Sequence, residues 1–166
     1  MKKIAFLTSG GDSPGMNACI RSIVKSCLYS GIKPVGIRDG FKGMMESDFW
    51  EMNYRDVDNI IQIGGTILGT ARSEEFKIPE KRKGAIENLS RQGIEGLIVI
   101  GGDGSFTGAN VLSKEMGIPV IGVPGTIDND IFGTDHTIGY DTALNTVMEA
   151  VDKIRDTASS HNRIFF

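Results

Sequence analysis

The chain has 166 residues and a net charge of −3, with 40% hydrophobic and 23% charged residues. That length buries a real core and makes one domain the default, and the mild negative charge gives no electrostatic footprint for nucleic acid or an anionic membrane. No run approaches the ~18 apolar residues of a membrane span, and Ile4-Ala5-Phe6-Leu7 is shorter than the ~7–15 residues of a secretory h-region, so a cytoplasmic protein is expected. Ile4 to Thr8 reads as a short buried strand running into the turn Gly10-Gly11-Asp12-Ser13. Pro14 suits the first position of a helix. The helix buries Met16, Ile20, Ile23, Val24 and Cys27 and closes at Gly31. Pro34 to Arg38 is the second strand. Residues 40 to 78 read as irregular, apart from a helical patch at Val57 to Ile61.

Lys81 to Gln92 is a polar-faced helix stopped by Gly93. Leu97 to Ile100 is the strongest strand signal, and Phe106 to Met116 the helix after it, ended by Gly117. Residues 118 to 123 are another strand. Asp141 to Ser159 is a long helix whose Leu144, Val147, Val151, Ile154 and Ala158 recur at spacings of three and four. Arg163-Ile164-Phe165-Phe166 reads as the start of a buried strand, as in a chain cut inside a larger protein. Repeated βα units predict an α/β fold, a Rossmann-like three-layer αβα domain over residues 1–166 with a mostly parallel sheet.

Cys19 and Cys27 are eight positions apart on one predicted helix, about 12 Å at helical rise. That excludes a disulfide between them and makes both small core residues. His136 and His161 are too far apart in the sequence to suggest a zinc site. Glycine is the outlier, 22 residues, roughly double the usual ~7%. Three glycine-rich loops each follow a strand, at the edge where open α/β sheets bind ligands.

The first loop, Gly10 to Gly15, has the spacing of a P-loop, but Met16 and Asn17 stand where Lys and Ser/Thr would hold phosphate and Mg²⁺. It suits a phosphate cradle at a helix N-terminus or a tight turn equally. In the second, Gly101 to Ser105, one carboxylate, Asp103, stands among glycines. Mg²⁺ takes one or two carboxylates plus phosphate oxygens and water; helix capping is the alternative. The third, Pro124-Gly125-Thr126-Ile127-Asp128-Asn129-Asp130, gathers a hydroxyl and two carboxylates, which repel unless a cation, donor or proton separates them. An Asp there can take the proton of an attacking hydroxyl. Arg72, whose fork can grip a phosphate, is the best cation for the transferring group, with a solvated surface charge as the alternative.

These motifs, with Gly64-Gly65-Thr66-Ile67-Leu68, Thr70-Ala71-Arg72 and Gly139-Tyr140-Asp141-Thr142-Ala143, resemble the bacterial ATP-dependent 6-phosphofructokinases in order and spacing from Lys3 to Arg163. The resemblance implies transfer of the γ-phosphoryl of MgATP to the 1-hydroxyl of fructose 6-phosphate in glycolysis, by a chain about twice this length that forms a tetramer. It makes Asp128 the proton acceptor, with Thr126, Arg72 and Asp130 beside it in the catalytic set. Gly11, Arg72, Ser73, Gly102, Asp103, Gly104 and Ser105 then bind ATP, and Asp103 binds Mg²⁺. Thr126, Ile127, Asp128 and Arg163 contact the sugar phosphate, Arg163 across a subunit interface. Arg21, Lys25 and Arg155 fall at the family's effector site for ADP or phosphoenolpyruvate, where Lys25 replaces an Arg and Asn59 an Asp. Phe41 stands beside the nucleotide where Tyr is frequent, and Ser73 where Cys is frequent. Pyrophosphate-dependent relatives carry Asp and Lys where this chain has Gly104 and Gly125, so the two glycines favour ATP. A pyrophosphate-dependent enzyme and a catalytically silent nucleotide-binding fragment are the alternatives.

Overall fold

A computed structural model describes residues 1–165, whose five strands form one sheet. The elements are β1 (Lys3–Thr8), α1 (Met16–Tyr29), β2 (Lys33–Ile37), α2 (Gly40–Glu46), β3 (Phe49–Glu51), α3 (Pro79–Arg91), β4 (Leu97–Gly101), α4 (Asp103–Met116), β5 (Val120–Pro124) and α5 (Tyr140–His161). Single 3₁₀ turns lie at Tyr54–Val57 and Glu75–Lys77. The spatial order is β3-β2-β1-β4-β5, and every pairing is parallel except β2 with β3. From β1 the chain steps outward to β2, then returns to the other side of β1 as β4. The β1/β4 boundary is therefore the topological switch point, where the loops diverge to leave a crevice.

Alternation along the strands divides the core between two faces. Phe6 and Ile100 point to the side where Met16, Ile20 and Val24 of α1 pack. Leu7, Val35 and Val99 point to the opposite side, against Met44 of α2, Leu89 of α3 and Leu112 of α4. This is the expected three-layer arrangement. Burying each such large apolar side chain contributes about 1.5–3 kcal/mol. Gly31 and Gly93, at φ +69° and +68°, end α1 and α3. In each case the two residues past the helix donate back into its last turn: Gly31 to Leu28 and Ile32 to Cys27, and likewise Gly93 to Ser90 and Ile94 to Leu89. A side chain with Cβ would strain that left-handed position.

Arg82 of α3 is 9% exposed at its side chain and grips Glu115 of α4 through two hydrogen bonds of 2.7 and 2.6 Å. Its Nη1 also donates to the carbonyl of Phe76 at 2.9 Å. The hydrogen bonds from Arg82, more than its charge, hold the Glu115 carboxyl below the usual carboxylate range. Folding thus lowers Glu115's affinity for a proton. The pair stabilises fully above the ordinary carboxylate range and ceases to do so as pH falls through the lowered native value. Glu115 is 35% exposed, so solvent screens part of this contribution. Thermal unfolding of the native chain and of Glu115→Gln should differ by a few degrees near neutrality and converge in acid.

Several sequence expectations need correction. Residues 40 to 78, expected to be irregular apart from one helical patch, hold one helix and one strand, and the short helical turn lies at Tyr54–Val57 instead of Val57 to Ile61. Phe41, Met44 and Met45 have helical spacing, but Gly40 and Gly43 and a length of seven residues hid it. The helix read as starting at Phe106 begins at Asp103. The amphipathic spacing expected of α5 is present, with Leu144, Val147, Val151 and Ile154 46–57% exposed and Ala158 half-buried. The periodicity reports an apolar face, not what covers it. Arg163, Ile164 and Phe165 are exposed and form no strand; Phe166, the last residue of the strand expected there, lies outside the described residues. Cys27 is buried but Cys19 only half-buried, and burial raises both thiols above their ordinary range. No helix among the described residues is long and apolar enough to cross a membrane.

Candidate active site

Loops leave the carboxyl ends of β1, β4 and β5, which are adjacent in the sheet, and surround a cleft of about 860 Å³. A volume of that size suits a nucleotide-sized molecule. From β1 come Gly10, Gly11 and Asp12; from β4, Gly102 to Ser105; from β5, Gly125 to Asp128 and Asp130. The fourth wall is the segment from Ala71 to Lys77, which brings Arg72 and Ser73.

The β4 loop leaves the N-terminus of α4 open. Gly102 is the N-cap of α4 and provides no side-chain cap. The amides of Ser105 and Phe106 turn back to the Gly102 carbonyl, whereas those of Asp103 and Gly104 have no acceptor among the described residues. A Cβ built on Gly104 or Gly11 meets nothing within 4 Å. Bare N–H groups, a helix dipole and open space above them are what a phosphate requires. Asp103 does not cap the helix; it occupies the first turn with its side chain exposed to the cleft.

The β5 loop is held in shape from behind. Asn129 sits in the left-handed region at φ +51°. Its side chain accepts from the Thr137 amide at 2.8 Å and donates to the Asp135 carbonyl at 3.1 Å. The Thr137 hydroxyl, buried, donates to the Thr126 carbonyl at 2.6 Å. Pinning Asn129 inward leaves Asp128 and Asp130, on either side of it, at the cleft. The Asp128 amide donates to Thr126 Oγ1 at 3.2 Å, closing a tight turn.

Charge in the cleft is unbalanced. Glu74 pairs with Lys77, and Arg82 with Glu115. What is left along the walls is Asp12, Asp103, Asp128 and Asp130 against Arg72, with no ion pair to any of them among the described residues. A bare polyphosphate would be repelled here. One carrying a divalent cation would not, and an exposed carboxylate beside a phosphate cradle is the kind of donor Mg²⁺ uses. No group of three metal-binding side chains exists among the described residues, and the exposed carboxylate of Asp103 suits a cation arriving with its anion.

Residues 3–166 match the phosphofructokinase family. The chain belongs to it. The chain is 57% identical over 166 residues to ATP-dependent 6-phosphofructokinase 2 of Bacteroides thetaiotaomicron, covering 100% of this chain and 51% of that protein. It is 60% identical over 165 residues to the ATP-dependent 6-phosphofructokinase of Halothermothrix orenii, covering 99% of this chain and 50% of that one. The solved phosphofructokinase of Saccharomyces cerevisiae superposes with a TM-score of 0.92 at 40% identity, over 98% of this chain and 25% of that one. Two pyrophosphate-dependent phosphofructokinase structures, at 23% and 22% identity, share the fold. The chain spans about half the length of the curated relatives it matches.

The cleft of this chain collects Gly11, Arg72, Ser73, Gly102, Asp103, Gly104, Ser105, Thr126, Ile127, Asp128 and Asp130, all of them expected site residues. Arg163 follows α5, away from the cleft lining, and is exposed. Lys25 borders a separate shallow depression of about 490 Å³ with Tyr29 and Tyr54. Arg21 lies one turn before it on α1. Arg155 is on α5, paired with Asp152 at 3.5 Å. Sequence reading missed Phe76, whose ring stacks on Phe41 with centroids 4.3 Å apart. It also missed Gly108, whose lack of a Cβ admits the Phe41 ring. Phe76 stands in a 3₁₀ turn with no periodicity to read; its one sequence signal is that it is apolar among charges.

Proposed function

We infer that the intact protein to which this chain belongs is an ATP-dependent 6-phosphofructokinase acting in cytosolic glycolysis, and that this chain carries its nucleotide site and catalytic base. One observation carries the reading: adjacent strand ends bring an uncapped helix N-terminus, an exposed Asp103 and the Asp128 turn into one cleft, with Arg72 on the wall facing them. The nucleotide phosphates lie over Gly11 and Gly102 to Ser105, and Arg72 and Ser73 complete that wall. Asp103 would hold Mg²⁺, which when bound offsets phosphate charge. The sugar 1-hydroxyl attacks the γ-phosphorus: its oxygen forms the new O–P bond, the bond to the β-phosphate oxygen breaks with its electron pair leaving on ADP, and the proton passes to Asp128. Arg72 neutralises charge on the moving phosphoryl group. Thr126 and Ile127 contact the sugar side, Asp130 supports the same edge, and Arg163 reaches the 6-phosphate in an assembled oligomer.

Arg21, Lys25 and Arg155 form an effector site for ADP or phosphoenolpyruvate only when subunits assemble. Lys25 offers a point charge where an Arg would offer a fork, which weakens that site more than the catalytic one. The test supplies each donor separately to the intact protein with fructose 6-phosphate and Mg²⁺. ATP should support formation of the bisphosphate and pyrophosphate should not; the reverse result would assign the pyrophosphate-dependent reaction. The isolated 166-residue chain should bind MgATP without turnover, since half the relatives' length is absent from it.

A further inference from the structure

The segment bearing Arg72 has no regular structure between the 3₁₀ turns at Tyr54–Val57 and Glu75–Lys77, yet it must deliver one guanidinium to a fixed place. Two buried polar side chains, one on α1 and one at the end of β1, hold it. Asn17, on α1 and 1% exposed, donates from Nδ2 to the Ile63 carbonyl at 3.0 Å and accepts from the Ile67 amide at 2.8 Å. It thereby spans Gly64-Gly65-Thr66 with a single amide. Thr8, the last residue of β1 and fully buried, donates to the Gly69 carbonyl at 2.8 Å. Its one proton is then spent, so the 3.0 Å contact with Thr66 Oγ1 is a bond donated by Thr66. Leu68, 1% exposed, anchors the same stretch in the core, and its carbonyl accepts from the Asp39 amide at 2.8 Å.

Beyond Gly69 the fastening stops. Among the described residues no hydrogen bond holds the backbone of Thr70, Ala71 or Arg72. The next tie is at Ser73, whose hydroxyl accepts from the Phe76 amide at 3.3 Å. The Arg72 side chain is exposed in the cleft and has no ion pair there. Its place is inherited from the latch three residues before it. Asn17 stands where a P-loop would put a phosphate- or metal-binding group. Here the side chain is turned away from the cleft and used to secure the segment that brings the cation instead.

We propose that Thr8 and Asn17 are positioning residues for phosphoryl transfer: together they lock residues 63–69 and so set where Arg72 enters the cleft. This rests on the role given to Arg72 above. Thr8→Val is isosteric and loses both hydroxyl bonds; Thr8→Ser keeps them; Asn17→Ala frees Ile63 and Ile67. In the intact enzyme, Thr8→Val and Asn17→Ala should each lower kcat by about 10- to 100-fold, the scale of a misplaced catalytic group, while Thr8→Ser stays near native. The deciding measurement is the same substitutions made on top of Arg72→Ala. If the latch acts through Arg72, they cost nothing further, a strong non-additivity. Equal losses with and without Arg72 overturn the proposal, as does native kcat in Thr8→Val. A native kcat in Arg72→Ala alone removes the role of Arg72 itself and the inference with it, so the two failures are distinguishable. Should Asn17→Ala fail to fold, Thr8→Val against Thr8→Ser carries the test.

Discussion

Replacing Asp128 with Ser in the intact enzyme is expected to lower kcat by about two to four orders of magnitude, the usual worth of a positioned general base. The fold has no stake in this side chain. Asp128 is exposed at the cleft, and only its backbone amide, donating to Thr126 Oγ1, takes part in the turn. Thermal unfolding should therefore be unchanged. Binding gives a second sign. The cleft already holds Asp12, Asp103 and Asp130 without ion pairs among the described residues, so removing one more negative charge should leave MgATP affinity the same or slightly higher. A lost turnover with intact or tighter nucleotide binding is what a base predicts and what a structural carboxylate does not. The parallel change at Asp130 discriminates within the segment: it should cost less, because Asp130 is assigned support of the sugar edge and no proton. Near-native kcat in Asp128→Ser would sink the assignment of the base.

How far the sequence led depended on whether a signal was local. Strands β1, β4 and β5 were legible because each is an apolar run bounded by glycine, and their carboxyl ends placed the three loops correctly. β3 was not legible. Its three residues pair antiparallel with β2 along Val35 to Ile37, and only tertiary contact makes a strand of Phe49-Trp50-Glu51. Asp103 and Arg72 looked individually ambiguous, as a helix cap or a surface charge. The structure starts α4 at Asp103, so Gly102 and not Asp103 is its N-cap, and it puts Arg72 in the cleft wall. What sequence could not supply was the support behind them. Asn129 meets Thr137 eight residues on, across a loop with no periodicity to read, and Thr8 meets Gly69 only because the chain between them folds back against the end of β1. The face of α5 shows the opposite limit. Its periodicity reports an apolar face, but among the described residues that face stays exposed, and periodicity carries no information about cover.

Gly104→Asp separates the nucleotide site from the fold more cleanly than any change at the β5 edge. A Cβ at Gly104 meets nothing within 4 Å, whereas one at Gly125 approaches Ile100 Cγ2 at 3.0 Å, where packing would have to give. Gly104 lies in the first turn of α4, so an Asp there meets the positive end of the helix and replaces the poorest helix former short of proline. Stability should hold or rise. The same carboxylate would compete for the bare amides that a phosphate uses and would add a negative charge beside it. One like charge about 4 Å away costs on the order of 4 kcal/mol at an effective dielectric of 20, roughly a thousandfold in affinity. Isothermal titration of the variant with MgATP should therefore show binding weakened by two to three orders of magnitude at unchanged or higher Tm. Gly104→Ala gives the steric part alone: a small loss assigns the effect of Asp to charge, and a large one to the room that the nucleotide occupies. Native MgATP affinity in Gly104→Asp would mean that no phosphate lies over the α4 N-terminus, and the orientation proposed for the nucleotide would have to be abandoned.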